Sequence, residues 1–137
     1  MTSTFPLMAI SLIAYNVMIF GFGAEPTGWD QGVFTLKMVS GVEWTLRLSD
    51  LMIVMGLILL FLEILKATRI GKLSIVDHLL STVVLMIFLV EFLLVPEAAT
   101  STFFILMLMA LIDVMAGFSV SIRSATRDVT LGDSARL

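Results

Sequence analysis

No charged side chain occurs between Met1 and Ala24. A long uncharged apolar run has few ways of leaving water, and one of 18 or more residues reads as a membrane span. In lipid the backbone must satisfy its own hydrogen bonds, so such a span is helical. Residues 5–23 make the clearest one, and three further apolar stretches follow at 50–69, 74–95 and 101–122. At 1.5 Å per residue the four are about 28–33 Å long, enough to cross a hydrocarbon core. None carries the broad polar face that a helix of a soluble bundle needs. The chain is 14% charged and 59% hydrophobic, against about 25% charged in soluble domains. The expected fold is an all-α membrane protein, a four-transmembrane-helix bundle in one domain of 137 residues.

The first stretch lacks the positively charged start of a secretory leader, and its apolar part is too long for one. It is expected to be a retained helix. Ser49-Asp50 is expected to cap the second helix, Ser74 and Asp77 to form a capping box on the third, and Thr100-Ser101 to cap the fourth after Pro96 ends the third.

The basic residues are unevenly placed. Lys66, Arg69 and Lys72 fall between spans two and three, and Arg123, Arg127 and Arg136 in the tail. Only Lys37 and Arg47 lie on the other side, so the positive-inside rule places both termini in the cytoplasm. The polar tail is expected to extend the last helix by a turn and then fray.

The first outer loop holds a different periodicity. "VFTLKMVSGVEWTLRL", residues 33–48, alternates apolar and polar residues with period two, which predicts a β-hairpin. A three-residue turn at Val39-Ser40-Gly41, with Gly41 left-handed, pairs Lys37 with Glu43, Leu36 with Trp44, Thr35 with Thr45 and Phe34 with Leu46. A two-residue turn would set Met38 against Glu43 and mix the faces. The apolar face of Phe34, Leu36, Trp44 and Leu46 has two possible rests. It caps its own bundle, with Trp29 and Trp44 as interfacial anchors, or it packs against a neighbouring subunit.

Small and polar residues recur on one face of every span: Ala9, Asn16 and Gly23; Gly56, Glu63 and Ala67; Asp77, Ser81, Val84, Phe88 and Glu91; Ala110, Asp113, Gly117 and Ser121. Such stripes mark faces turned toward other helices. Asp113 carries the sharpest demand, because a carboxylate at a membrane helix centre costs roughly 2.5–3.5 kcal/mol on insertion scales and no cation on its own helix can reach it. Glu63, His78, Lys66 and Asn16 are its candidate partners. Glu63 is expected to pair with Lys66 one turn on, and Glu91 to reach the headgroups. Asp113 and Glu63 sharing a proton would clamp two helices together, or would serve a proton or cation relay.

No cysteine is present and His78 is the one histidine, which excludes disulfides, thiolate chemistry and a His-rich metal site. No cofactor or metal is expected. The net charge of −3 offers no basic surface for nucleic acid. The only candidates for catalysis, Ser74, Asp77, His78 and Ser81, share a few turns of one helix, and adjacent Asp77 and His78 point about 100° apart, so no enzyme is expected. The expected partners are the lipid bilayer and other membrane subunits or further copies of the chain. Two functions remain: a non-enzymatic scaffold or accessory subunit, and an oligomeric proton-coupled transporter or channel.

Overall fold

A computed structural model of the chain describes residues 4–23, 26–68 and 73–135; the side chains of residues 26, 27, 73, 74, 124 and 134 fall outside the description. The molecule is mostly helical, with one two-stranded hairpin. Pro6 precedes α1 (Met8–Asn16), whose axis widens into a π turn over Val17–Gly21. The chain then leaves the helix, with Gly23 at a positive φ of 62°. After a 3-10 turn at Pro26–Asp30 come β1 (Gly32–Lys37) and β2 (Glu43–Arg47), then α2 (Leu48–Ala67), α3 (Leu73–Leu94) and α4 (Ser101–Ser134).

Among the described residues, three helices, α2, α3 and α4, are long and apolar enough to cross a membrane. The first expected span is helical only over Met8–Gly21, about 21 Å at 1.5 Å per residue. Pro6 and the turn at Gly23 bracket it. At the other end of the chain, α4 runs well past the expected boundary at residue 122. Beyond residue 122 it meets no glycine or proline until Gly132. Thr126 and Thr130 donate their hydroxyls back to Ile122 O at 3.0 Å and Arg127 O at 2.8 Å, so their side chains are satisfied inside the helix.

The caps follow the sequence closely but not completely. Thr100 Oγ1 accepts the Phe103 N–H at 3.2 Å, as a helix N-cap should. On α2 the helix begins at Leu48, and Asp50 accepts the Arg47 N–H at 3.0 Å, so Asp50 caps and Ser49 does not.

α4 lies between α2 and α3 and packs broadly on both, whereas α2 and α3, consecutive in sequence, scarcely touch along their lengths; α1 leans mainly on α2. The small-residue faces make this possible. A Cβ added at Gly56 of α2 would sit 2.6 Å from Leu106 Cδ2 and 2.9 Å from Met109 Sδ of α4. The stripes expected on α2, α3 and α4 are turned inward over most of their length: Gly56, Glu63, Ala67, Asp77, Ser81, Val84, Phe88, Ala110, Asp113 and Gly117 are buried, while Glu91 and Ser121 at the stripe ends are only partly so. The stripe expected on α1 is displaced. Met8, Ser11, Leu12, Tyr15 and Ile19 are buried there instead of Ala9 and Asn16, and Ser11 answers its own polarity by bonding to Met8 O at 2.7 Å.

At the hairpin end, Tyr15 stacks on Trp29 with centroids 4.6 Å apart and meets Phe103 edge-on at 4.8 Å. The Tyr15 hydroxyl lies 2.6 Å from Thr100 Oγ1 and donates to Glu97 O at 3.1 Å. Trp29 is only 3% exposed, so it is a core aromatic and not the interfacial anchor expected of it.

The hairpin register is the one the alternation demands: Phe34 faces Leu46, Thr35 faces Thr45, Leu36 faces Trp44 and Lys37 faces Glu43. Gly41 has φ +87°, and its N–H bonds to Met38 O at 2.9 Å. Gly41→Ala forces a side chain into that conformation at about 1–3 kcal/mol. Amide exchange at Met38, whose N–H bonds to Val42 O, should accelerate at least ~5-fold, with helix amides unchanged. The apolar face is not laid over the bundle. Phe34, Leu36, Met38, Val42 and Trp44 are each about half exposed or more, and Val39 at the tip is fully so. The ribbon meets the rest of the protein chiefly where β2 runs into α2.

Candidate functional site

The chain direction gathers the ionisable residues at one end of the bundle. Glu63 and Lys66 occupy the last turns of α2, Asp77, His78 and Ser81 the first turns of α3, and Asp113 and Gly117 the middle of α4. The start of the chain closes the group from the fourth side.

Lys66 is the hub. Its Nζ lies 3.0 Å from Glu63 Oε1 and 2.8 Å from Asp77 Oδ1, and it donates to Phe5 O at 2.8 Å. An ammonium has three donors, and all three are used. The other oxygen of Glu63, which is 1% exposed, accepts the Leu7 N–H at 3.0 Å. That amide is one of the orphan donors at the start of α1, so a carboxylate there also meets the positive end of the helix. One lysine and one glutamate therefore tie together the chain start, α2 and α3.

Asp113, 4% exposed, completes the cluster from α4. It is hydrogen-bonded to Ser81, and its charged neighbours are Glu63, Asp77 and Lys66. Its Oδ2 is buried and has no partner among the described residues. The cross-helix bond of Asp113 is thus to the Ser81 hydroxyl of α3, and Glu63 is spoken for by Lys66 and Leu7. Three carboxyl groups surround a single ammonium.

His78 is buried beside them, with its ring packed on the bare backbone of Gly117 and 6.2 Å from the Phe118 ring. A glycine one turn beyond Asp113 is what lets α3 bring an imidazole this close. Asp77 was expected to serve a capping box with Ser74. The helix already includes Leu73, Asp77 is bonded by Lys66, and the Ser74 side chain lies outside the described residues. Arg69, Lys72 and Arg136, half of the basic residues behind the expected orientation, also lie outside them.

Asn16 belongs elsewhere. Its amide donates to Glu91 Oε2 and to Leu12 O, both at 3.0 Å. Glu91 is 14 residues beyond Asp77 on α3, about 21 Å along the helix. The polar residues therefore form two separate groups, one at each end of the α3 stripe, and Glu91 is tethered across to α1 instead of reaching for headgroups. Of the candidate partners expected around Asp113, the structure gathers Glu63, His78 and Lys66, adds Asp77 and Ser81, and leaves Asn16 apart. The role of Lys66 toward α3 was missed, although its position opposite Asp77 across the short connection is visible in the sequence.

Among the described residues, no three of His, Asp and Glu are grouped so as to hold a metal ion. Compared with protein-family models, curated proteins and solved structures, the chain matches none.

Proposed function

We propose that this is a four-span membrane protein with cytoplasmic termini, acting as a non-enzymatic scaffold or accessory subunit that assembles with another protein chain, a membrane subunit or a second copy. The observation that carries this reading is the uncovered hairpin. A two-stranded ribbon is marginal by itself in water, and this one presents Phe34, Leu36, Trp44 and Leu46 on a single face while, among the described residues, no further strand pairs with either outer edge. Such a face gains stability from a protein partner that covers it or extends its edge. The bundle supports the reading by its economy, since nearly all of the chain is helix, short turn or hairpin.

Native mass spectrometry in mild detergent tests it, on wild type and on Leu36→Lys with Trp44→Ser. The wild type should run as a larger assembly and the variant as a monomer with unchanged helical content. A monomeric wild type, also in nanodiscs of native lipid, overturns the reading.

A second reading, a proton-coupled transporter, is supported by one specific feature: the unpartnered Oδ2 of buried Asp113 beside two more carboxyl groups. Asp113→Asn keeps size and hydrogen bonding. Under this reading it abolishes proton flux in liposomes and leaves assembly intact.

A further inference from the structure

The hairpin has two outer edges, and they are not alike. Pairing slips between Gly32 and Phe34, so β1 carries a bulge at Val33, a device that blunts an edge against further pairing. β2 runs without interruption from Glu43 to Arg47. The ladder also fixes which of its backbone groups face outward. In an antiparallel pair, opposed residues alternate between those that exchange both bonds and those that exchange none. The Met38 N–H bonds to Val42 O at 2.9 Å, so counting by two makes Leu36–Trp44 and Phe34–Leu46 the bonded pairs. The amide and carbonyl groups of Glu43 and Thr45 therefore point away from β1. The Arg47 N–H, next in that row, is taken by Asp50 at 3.0 Å, which ends the open edge where α2 begins.

The side chains along this edge read Glu43-Trp44-Thr45-Leu46-Arg47, and the row is complementary to itself. Laid antiparallel on a second copy with Thr45 opposite Thr45, it sets Glu43 opposite Arg47 and Trp44 opposite Leu46, each twice over. Charge meets opposite charge, and apolar meets apolar. Thr45 exchanges two backbone bonds with its symmetry mate. The charges select this register. Centring on Trp44 sets Glu43 against Thr45 and Arg47 against Gly41, and centring on Leu46 sets Arg47 against Thr45, so neither matches a charge. β1 has no such symmetry, since about Thr35 it sets Lys37 against Val33. Arg47 already reaches Asp30 at 3.3 Å from an exposed position, and a guanidinium has five donors, so it can serve both carboxylates.

We propose that the β2 edge is the interface of a two-fold dimer of this chain, in which β2 pairs antiparallel about Thr45 with β2 of a second copy and Glu43 of each copy meets Arg47 of the other. The proposal rests on the reading of the chain as one that assembles through its hairpin, and it names the partner. The product is a four-stranded sheet with both apolar faces on one side, and three or more strands sharing an apolar face are what a sheet needs to stand alone. The two-fold axis of such a pair is perpendicular to the sheet. Both copies cross the membrane in the same direction, so the sheet lies parallel to the membrane plane.

The test combines native mass spectrometry of the full chain in nanodiscs with cross-linking through single cysteines, of which the chain has none. Thr45→Cys should give a disulfide-linked dimer under mild oxidation, because opposed residues of a bonded pair have Cα atoms about 5.5 Å apart, within disulfide reach. Thr35→Cys, three strand spacings or ~14 Å from its mate, should not. Glu43→Arg alone and Arg47→Glu alone each set like charges opposite one another twice, and each should weaken the dimer at least ~10-fold with helical content unchanged. Co-expressed, the two variants should recover a dimer containing one of each, because every charge again meets its opposite. Single variants that dimerise as well as wild type overturn the proposal, as does a mixture that recovers no dimer or a Thr35→Cys that cross-links as readily as Thr45→Cys. Wild type found as a single copy within a larger assembly overturns the proposal alone. A monomeric wild type overturns the assembly reading with it.

Discussion

Lys66→Met should be the most damaging single substitution in the protein, lowering its stability by about 3–5 kcal/mol. Removing one partner of a buried ion pair leaves the other charge buried and uncompensated. Here it leaves two: Glu63 and Asp77 both lean on the Lys66 ammonium, with Asp113 close by. The Phe5 carbonyl loses its donor as well. For a chain of this length the loss corresponds to a fall in Tm of roughly 10–17 °C, measurable by near-ultraviolet circular dichroism in detergent. Methionine keeps the length and apolar bulk of the lysine stem, so packing is nearly preserved. Adding Glu63→Gln and Asp77→Asn removes the stranded charges and should restore most of the lost Tm. A Tm within 2–3 °C of wild type for Lys66→Met alone would mean that the cluster is hydrated and that the enclosure adds no more than a surface pair does, about 0–1 kcal/mol.

Gly117→Ala should cost about 1–3 kcal/mol, the range for overpacking a filled interior. The added methyl would overlap the His78 ring, which is buried and braced by Phe118. Relief requires α3 to move away from α4, which also stretches the Ser81–Asp113 bond. The double variant with His78→Ala should cost less than the sum of the two single changes, because removing the imidazole leaves room for the added methyl. Thermal melts of the four proteins of this cycle give the coupling directly. Strict additivity would show that the imidazole moves aside freely. Gly56→Ala is milder by the same logic, since the atoms it meets are the ends of Leu106 and Met109 side chains.

Sequence reasoning succeeded where periodicity and a turn leave little freedom. The hairpin register follows from a two-residue repeat and one left-handed glycine, and both are local. The inward faces of α2, α3 and α4 follow from small and polar residues at three- and four-residue spacing. α1 defeated the same method. Its buried face is already displaced within Met8–Asn16, before the π turn at Val17–Gly21; Gly23 lies outside the helix, and Ser11 can be buried because its hydroxyl bonds back to its own helix. The Asn16–Glu91 bond joins residues 75 positions apart. It depends on which helices are neighbours, and periodicity carries no such information. Trp29 was misjudged for a related reason. Tryptophan suits an interface and a core equally, and Tyr15 and Phe103, brought in from two other elements, decide the matter. The lysine hub was half legible: Glu63 and Lys66 are one turn apart, but Asp77 joins them only because the end of α2 and the start of α3 lie side by side.

The position of α4 has a consequence for biosynthesis. α4 follows both α2 and α3 in the sequence and separates them, so the ribosome delivers the middle of these three helices after its flanks. Asp113 follows Lys66 by 47 residues, a delay of roughly 2–9 s at typical translation speeds. During that interval α2 and α3 are joined at one end by the Lys66–Asp77 pair and stand open along the rest of their lengths, like a hinge waiting for its leaf. Ser81 and the inner faces of both helices wait exposed to whatever the insertion machinery provides. Truncating the chain before Ser101 should therefore yield a species held by that machinery or degraded, and not a smaller stable bundle.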